Sequence, residues 1–361
     1  MPPEVPKGAT ANVGWRGRLR RTLDGVTSDD AAYLSELRKS TLAVLTGCLP
    51  EGADEVIFLD APTHRNFGDS LIWQGTLNYL QTMGKRVVFA SDAKSFRDTH
   101  LDRLPKQLPI LLQGGGNLGD LWPRHESFRR HILHTFGDRR IILLPQSIRF
   151  HDPAEIAVTR ESYHHAQKLT VLLRESNSMA IAREAFPEAH LQFCHDLAFG
   201  VDVPQDHRRG GRSTPILLAR TDKEAKEEDH LFAQAHGTED WAAGTMNRAL
   251  WRRLVSLKVR LSRSPRASPG VLNALNFTYS GLAALNVSAA IDQFHGAPYL
   301  ITNRLHAHIL ATLMGMPHWV ADNNYGKIGG IFREYSGKFS TAHWADSLAE
   351  ALAIAEATRV R

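Results

Sequence analysis

Cysteine is almost missing from this chain: its 361 residues hold only Cys48 and Cys194. Two thiols cannot build a disulfide framework, and they read as small buried residues of a reducing compartment. Long apolar runs are missing too. No stretch approaches the roughly 20 consecutive apolar residues that a membrane-crossing helix requires, and the segment from Met1 to Gly25 lacks the apolar core of a signal peptide. These absences argue against a disulfide scaffold and an integral membrane protein, and they place the protein in the cytoplasm. Internal repeats and low-complexity tracts are absent as well. Acidic residues are missing from one long interval, between Trp241 and Ile291.

What remains is ordinary in bulk. Hydrophobic residues make up 43% and charged residues 22% of the chain, as in globular proteins, and the length suggests two domains. A net charge of +5 suits nucleic acid, acidic substrates or an anionic lipid surface equally well and chooses none of them.

Residues 1–30 carry Pro, Gly and Arg without periodicity and read as a flexible leader. A helix is expected near 30–47. Strand signals follow at Val56–Leu59, Arg86–Ala90, Ile110–Gln113, Ile141–Leu144, Leu169–Leu173 and Leu191–Cys194, separated by helix-length segments such as 69–83 and 122–136. That alternation predicts a parallel α/β sheet. The polar, glycine-bearing run 204–215 is the best linker and divides an N-terminal α/β domain over 31–205 from a C-terminal one over 212–343. The second unit opens with a strand at Ile216–Ala219 and continues through helices near 247–262 and 282–296. A strand at Tyr299–Thr302, a helix over 304–314 and a strand at His318–Ala321 follow, and residues 344–361 hold a terminal helix.

The most informative stretch is 110–120, where a buried strand runs into Gly114, Gly115 and Gly116. Three residues without Cβ can present backbone N–H groups to an anion or a sugar hydroxyl, with Asn117 and Asp120 at the rim. A tight turn would use the same glycines. After the first strand come His64, Arg65, Asn66, Phe67, Gly68 and Asp69. Asn66 or Asp69 suits the N-cap of the next helix, and Gly68 lets a substrate approach its positive end. Pro145, Gln146, Ser147, Ile148 and Arg149 decorate a third strand end. Polar groups at three strand ends of one sheet make a cleft.

The sharpest cluster is 302–308. Thr302 or Asn303 is expected to cap a helix that begins with Arg304, Leu305 and His306. A cation in a first helical turn opposes the macrodipole, at a cost of about 0.3–1 kcal/mol, and an anionic ligand would repair that conflict. Arg304 offers a bidentate fork to a carboxylate or phosphate, and His306 can exchange a proton there. His308, two residues on, faces elsewhere, which argues against a metal held by the two histidines. After the last strand, Asn323, Tyr325 and Lys327 lie on a glycine-flanked loop. Lys327 either closes over an anion or is an ordinary exposed lysine. The acid-free interval places Arg248, Arg252, Arg253, Lys258, Arg260 and Arg263 among leucines, a basic amphipathic helix of the kind that lies on anionic membranes. A packed helix with a solvated basic face gives the same pattern.

The runs at 66–69, 114–123, 144–148, 304–308 and 322–327 together resemble the polysaccharide pyruvyl transferase family, with the motifs in family order over about 56–335. Ala307 stands where the family pattern R-L-H-G-H has glycine, a difference of one methyl group. The resemblance implies two Rossmann-like domains facing a cleft, similar to GT-B glycosyltransferases, with phosphoenolpyruvate as donor substrate and no further cofactor. It ties Arg304, Leu305 and His306 to donor binding and catalysis. Phosphoenolpyruvate carries two anionic groups, and Arg149, Arg174, Arg220 and Lys327 are the other cations on offer, with Gly115 and Gly116 beside them. Asn66, Asp69, Asn117, Asp120, Asn323 and Tyr325 are then expected around the acceptor, a sugar of an exopolysaccharide repeat unit on a lipid carrier. Contact with the inner face of the membrane would run through 247–263, and nucleic acid is not an expected partner. The alternatives are a GT-B glycosyltransferase using a nucleotide sugar and a non-catalytic carbohydrate-binding protein. No Asp-x-Asp motif occurs, which disfavours metal-dependent GT-A transfer but not GT-B.

Overall fold

A computed structural model describes residues 27–203, 212, 214–222, 224–239, 241, 247–264, 268–324 and 326–359. Most of the expected leader, most of the expected linker and the candidate Tyr325 lie outside these. Among the described residues there are eleven strands, eleven α-helices and only parallel strand pairings. The α/β class is as the alternation predicts.

The first sheet contains β1 (Glu55–Leu59), β2 (Arg86–Ser91), β3 (Ile110–Leu112), β4 (Gly115–Gly119), β5 (Arg140–Arg149), β6 (Lys168–Leu173) and β7 (His190–Phe193). Its order is β2-β1-β3-β5-β6-β7, with β4 also paired to β5. Strands such as Val56–Leu59 are apolar throughout because helices cover both faces of a parallel sheet. Those helices include α1 (Ser28–Cys48), α2 (Phe67–Thr82), α3 (Pro123–Thr135), α4 (Ala154–His164) and α5 (Ser176–Ala185). The ring of Trp73 in α2 stacks on Phe58 of β1 with centroids 3.8 Å apart. The second sheet, β11-β10-β9-β8, is built from β8 (Ile216–Leu218), β9 (Leu300–Thr302), β10 (His318–Val320) and β11 (Ala342–Trp344).

Between β8 and β9 lie α6 (Glu227–His236), α7 (Arg248–Ser262) and α8 (Pro269–Phe294). α8 begins well before the expected 282 and packs on α2 and β2 of the first sheet. α9 (Leu305–Leu313), α10 (Lys327–Glu334) and α11 (Leu348–Arg359) complete the chain.

Two expectations at the centre of the first sheet need correction. The glycine run is not a bare loop. Gly115–Gly119 is itself a strand, paired to Gln146, Ile148 and Arg149, because β5 continues through Pro145 to Arg149 instead of ending at Leu144. β3 and β4 thus lie end to end along β5, and of the three glycines at the break Gly116 reaches the cleft.

The expected membrane helix also reads differently in part. α7 turns Leu254, Lys258 and Ser262 inward, and buried Lys258 Nζ donates to Asp92 Oδ2 at 2.8 Å. Arg248, Arg252, Arg253, Arg260 and Arg263 remain exposed, together with Leu250 and Leu257.

Candidate active site

The carboxyl ends of strands from both sheets converge on one cleft of about 280 Å³. On the first-sheet side its wall includes His64, Asn66, Asp69, Gly116, Asn117, His125 and Arg174; on the second, Arg220, Asp222, Glu224, Arg304, Leu305, His306 and Lys327. Arg65, Trp122 and Trp241 also face it.

One corner is cationic. Arg174, which follows β6, is only 1% exposed. Its Nη1 donates to Asp196 Oδ2 at 2.5 Å and its Nε to Ser147 Oγ at 2.9 Å, while Nη2 has no hydrogen-bond partner among the described residues. Burial alone would raise the Asp196 carboxyl, but the Arg174 charge and His306 overcome it and hold Asp196 well below the usual carboxylate range. Lys327 Nζ donates to Glu224 Oε2 at 2.5 Å. Burial pushes this lysine down to about 8; Glu224 opposes the shift, while Arg220 and Arg174 add to it. Lys327 is therefore neither a loop residue nor exposed: it opens α10 and is buried in the cleft wall.

A second wall carries Arg304 and His306. Arg304 occupies the cap position of α9 in extended conformation and makes no side-chain cap bond. Thr302 and Asn303, expected to cap, are used elsewhere. Thr302 Oγ1 accepts from Arg304 N and donates to Leu218 O, and Asn303 Oδ1 accepts from Arg220 N. Ala307 N donates to Arg304 O, so the N–H groups of Leu305 and His306 are the ones that point out of the start of α9. His306 projects across to the other sheet's elements, where a Cβ at Gly68 would overlap its ring. Its Nε2 lies 3.5 Å from Asp196 Oδ2.

Opposite, Asn66 is the N-cap of α2, with Oδ1 accepting from Gly68 N at 3.0 Å. Asn66 Nδ2 donates to Asp69 Oδ2 at 2.8 Å, and His64 Nε2 lies 3.0 Å from the same oxygen. Burial would raise Asp69, but the bond from His64 and the charges of His64, His306 and His125 hold it at about 2. Asn117 Oδ1 accepts from buried Arg129 at 2.7 Å.

A model of the family described as polysaccharide pyruvyl transferase matches residues 66–325. The chain belongs to the polysaccharide pyruvyl transferase family. It is therefore a transferase. It is 30% identical over 82% of its length to EpsO of Bacillus subtilis, which is named as a pyruvyl transferase, covering 90% of that protein. Pyruvyl transferase 1 of Schizosaccharomyces pombe is 28% identical over 77% of this chain and 68% of its own length. The crystal structure of a functionally uncharacterized Klebsiella pneumoniae protein shares the fold, with a TM-score of 0.55 at 15% identity over 86% of this chain and 99% of that one.

Within this family member, ten expected site residues reach the cleft: Asn66, Asp69, Gly116, Asn117, Arg174, Arg220, Arg304, Leu305, His306 and Lys327. Four do not. Gly115 packs behind it on Ile72 and Asp69. Arg149 ends β5 beside Gly119. Asp120 accepts from the backbone N–H groups of His151 and Asp152, so it shapes the turn after β5. Buried Asn323 donates to Glu224 Oε2 at 3.3 Å from behind. Seven lining residues were not among the expected ones: His64, Arg65, Trp122, His125, Asp222, Glu224 and Trp241. Asp196, which positions Arg174, was not among them either, although it follows the end of β7, where the strand-end rule would have pointed.

Proposed function

We propose that the chain transfers the pyruvate group of phosphoenolpyruvate to a sugar of a polysaccharide repeat unit as a cyclic ketal. The observation that carries this reading is the unpartnered Nη2 of buried Arg174 beside Lys327 and Gly116. Leaving a buried donor unsatisfied costs about 1–3 kcal/mol, and more for a charged group. A phosphate oxygen in that corner would remove the cost. Arg304, Arg220 and the open N-terminus of α9 then suit the donor's carboxylate, so that both of its anionic groups meet cations in one cleft. His306 stands between these groups, placed to protonate the methylene carbon. Protonation makes C2 electrophilic. Two hydroxyls of one sugar add there in turn and expel phosphate. Trp122 and Trp241 offer faces for the acceptor ring.

The acceptor in this reading is carried on a lipid, and α7 supports that part: four exposed arginines and two exposed leucines lie on a helix that starts seven residues after Trp241 of the cleft, with exposed Arg263 at its end. No described helix is long and apolar enough to cross a membrane.

Calorimetry with phosphoenolpyruvate in the absence of nucleotide tests the donor, and phosphate release on adding acceptor tests the transfer. Binding of a nucleotide sugar without binding of phosphoenolpyruvate would replace this reading with glycosyl transfer.

A further inference from the structure

Ketal formation removes a proton from each of two hydroxyls, and the residues discussed so far provide only for the proton that the methylene carbon gains. His306 is enclosed between Gly68 and Asp196 on the donor side. A different group must face the acceptor.

The cleft offers five further candidates, and three are compromised. Asp69 is held at about 2 and is too weak a base near neutral pH. Asp222 is engaged by Arg220 through two contacts, Nε to Oδ1 at 3.0 Å and Nη2 to Oδ2 at 2.8 Å. Glu224 Oε2 takes Lys327, Asn323 and Arg220 Nη1, the last at 2.8 Å. His125, with its Nδ1 on Asp60 Oδ2 at 2.9 Å, forms a second histidine–carboxylate pair on the cleft wall and is the rival that the test must separate from His64.

His64 is the fifth. An ionised Asp69 can only accept, so the proton on the His64 ring sits on Nε2 and the lone pair on Nδ1. Among the described residues Nδ1 meets no partner, and the side chain, 52% exposed, lines the cleft. The loop that carries it is fixed from outside: Asn286 of α8 donates to the His64 carbonyl at 3.2 Å and to Ser70 Oγ at 2.8 Å. Asn66 holds the same Asp69 oxygen from the other side.

We propose that His64 is the base that takes the acceptor's hydroxyl proton, and that Asp69 is the positioning residue that fixes its ring. This rests on the phosphoenolpyruvate reading. As the hydroxyl oxygen bonds to C2 of the protonated donor, its O–H bond breaks and the proton passes to His64 Nδ1. The second hydroxyl then bonds to C2 while the C2–O bond to phosphate breaks, its own O–H proton goes to the departing phosphate, and the proton held by His64 returns through solvent to His306. Over the cycle two hydroxyl protons are lost, one is gained at the methylene carbon and one leaves with phosphate, so no co-reactant is needed.

The test uses the producing organism's own polymer, freed of pyruvate by mild acid, as acceptor probe. His64→Gln should lower the single-turnover rate of phosphate release by about 10²–10⁴-fold, with phosphoenolpyruvate affinity within about twofold of wild type and the melting temperature held. It should also abolish the acid limb of the kcat/KM pH profile. The charged groups acting on His64 are Asp69 and Asp60, both of which raise its pKa, with the hydrogen bond to Asp69 first; burial opposes them. Asp69→Asn should therefore move that limb to lower pH while slowing the reaction, which loss of a merely structural contact would not do. His125→Gln should leave the limb in place.

A wild type that binds and turns over phosphoenolpyruvate alongside an equally active His64→Gln would overturn this assignment alone, as would loss of the limb in His125→Gln only. Failure of the wild type to bind phosphoenolpyruvate, or a polymer that yields no pyruvate, would remove the donor reading and the assignment together.

Discussion

The free nitrogen of Arg174 and the ammonium of Lys327 meet over a glycine: a Cβ built on Gly116 would lie 3.2 Å from Arg174 Nη2 and 3.1 Å from Lys327 Nζ. Arg174 comes from the end of β6 in the first sheet and Lys327 from the start of α10 beyond the second. A methyl group there would press on both cations.

Gly116→Ala should therefore fill the corner without unfolding the protein. Lys327 is flexible at its far end and can shift by a few tenths of an ångström, so stability should change by less than about 1 kcal/mol. Phosphoenolpyruvate affinity should fall about tenfold or more, read by calorimetry. Unchanged affinity would move the donor phosphate elsewhere in the cleft.

Arg304 and His306 should fail in different ways. Arg304→Lys keeps the charge and loses the planar fork, so donor affinity should drop while the fold survives. His306→Ala should lower kcat by about 10²–10⁴-fold with donor affinity little changed, as expected for loss of proton transfer. Single-turnover rates and melting curves on both variants separate these outcomes. A destabilised but fully active His306→Ala would make His306 structural.

Lys327 gives the donor site a pH dependence. Held down to about 8 by burial, it is a cation below that pH and neutral above it, and an anionic donor prefers the cation. Affinity for phosphoenolpyruvate should thus weaken as pH rises from about 7.5 to 9, and the decline should vanish in Lys327→Gln, whose affinity is lower throughout. Titrations at several pH values read this directly; a parallel decline in both proteins would assign it to another group.

Vesicle binding checks α7. Wild type should sediment with vesicles rich in anionic lipid, less so at high salt, because exposed charges beyond a Debye length are screened. Combined Arg252→Glu, Arg253→Glu and Arg260→Glu should abolish it. Phe277, 67% exposed on the neighbouring α8, lies one turn from Gly281, where α8 packs on Leu254. Phe277→Ser should weaken what the arginines leave. Equal sedimentation of all forms would leave α7 as a packed helix with a solvated face.

The strands and the Arg304–His306 cluster were legible in the sequence because apolar runs and a misplaced cation are local signals. The glycine strand was not. Glycine has low β propensity, and Gly115–Gly119 is held by the length of β5, which is a property of its partner. Asp222 and Glu224 sit in a charged run that reads as solvated surface until β8 brings it to the cleft. The start of α8 was hidden for a different reason. The helix is buried on several sides at once, so its apolar residues show no single stripe.

That helix sets an order of events for the nascent chain. β2 is the edge strand of the first sheet, and the cover on that edge comes from α8, at residues 269–294, far later in synthesis than the sheet's last strand at His190–Phe193. Until α8 emerges from the ribosome, Trp73 lacks Tyr279 beside it and Asp92 lacks the Tyr279 hydroxyl. A ribosome stalled between the two sheets would therefore display a sheet with one sticky flank, and a fragment ending near residue 203 should aggregate instead of folding as a free-standing half.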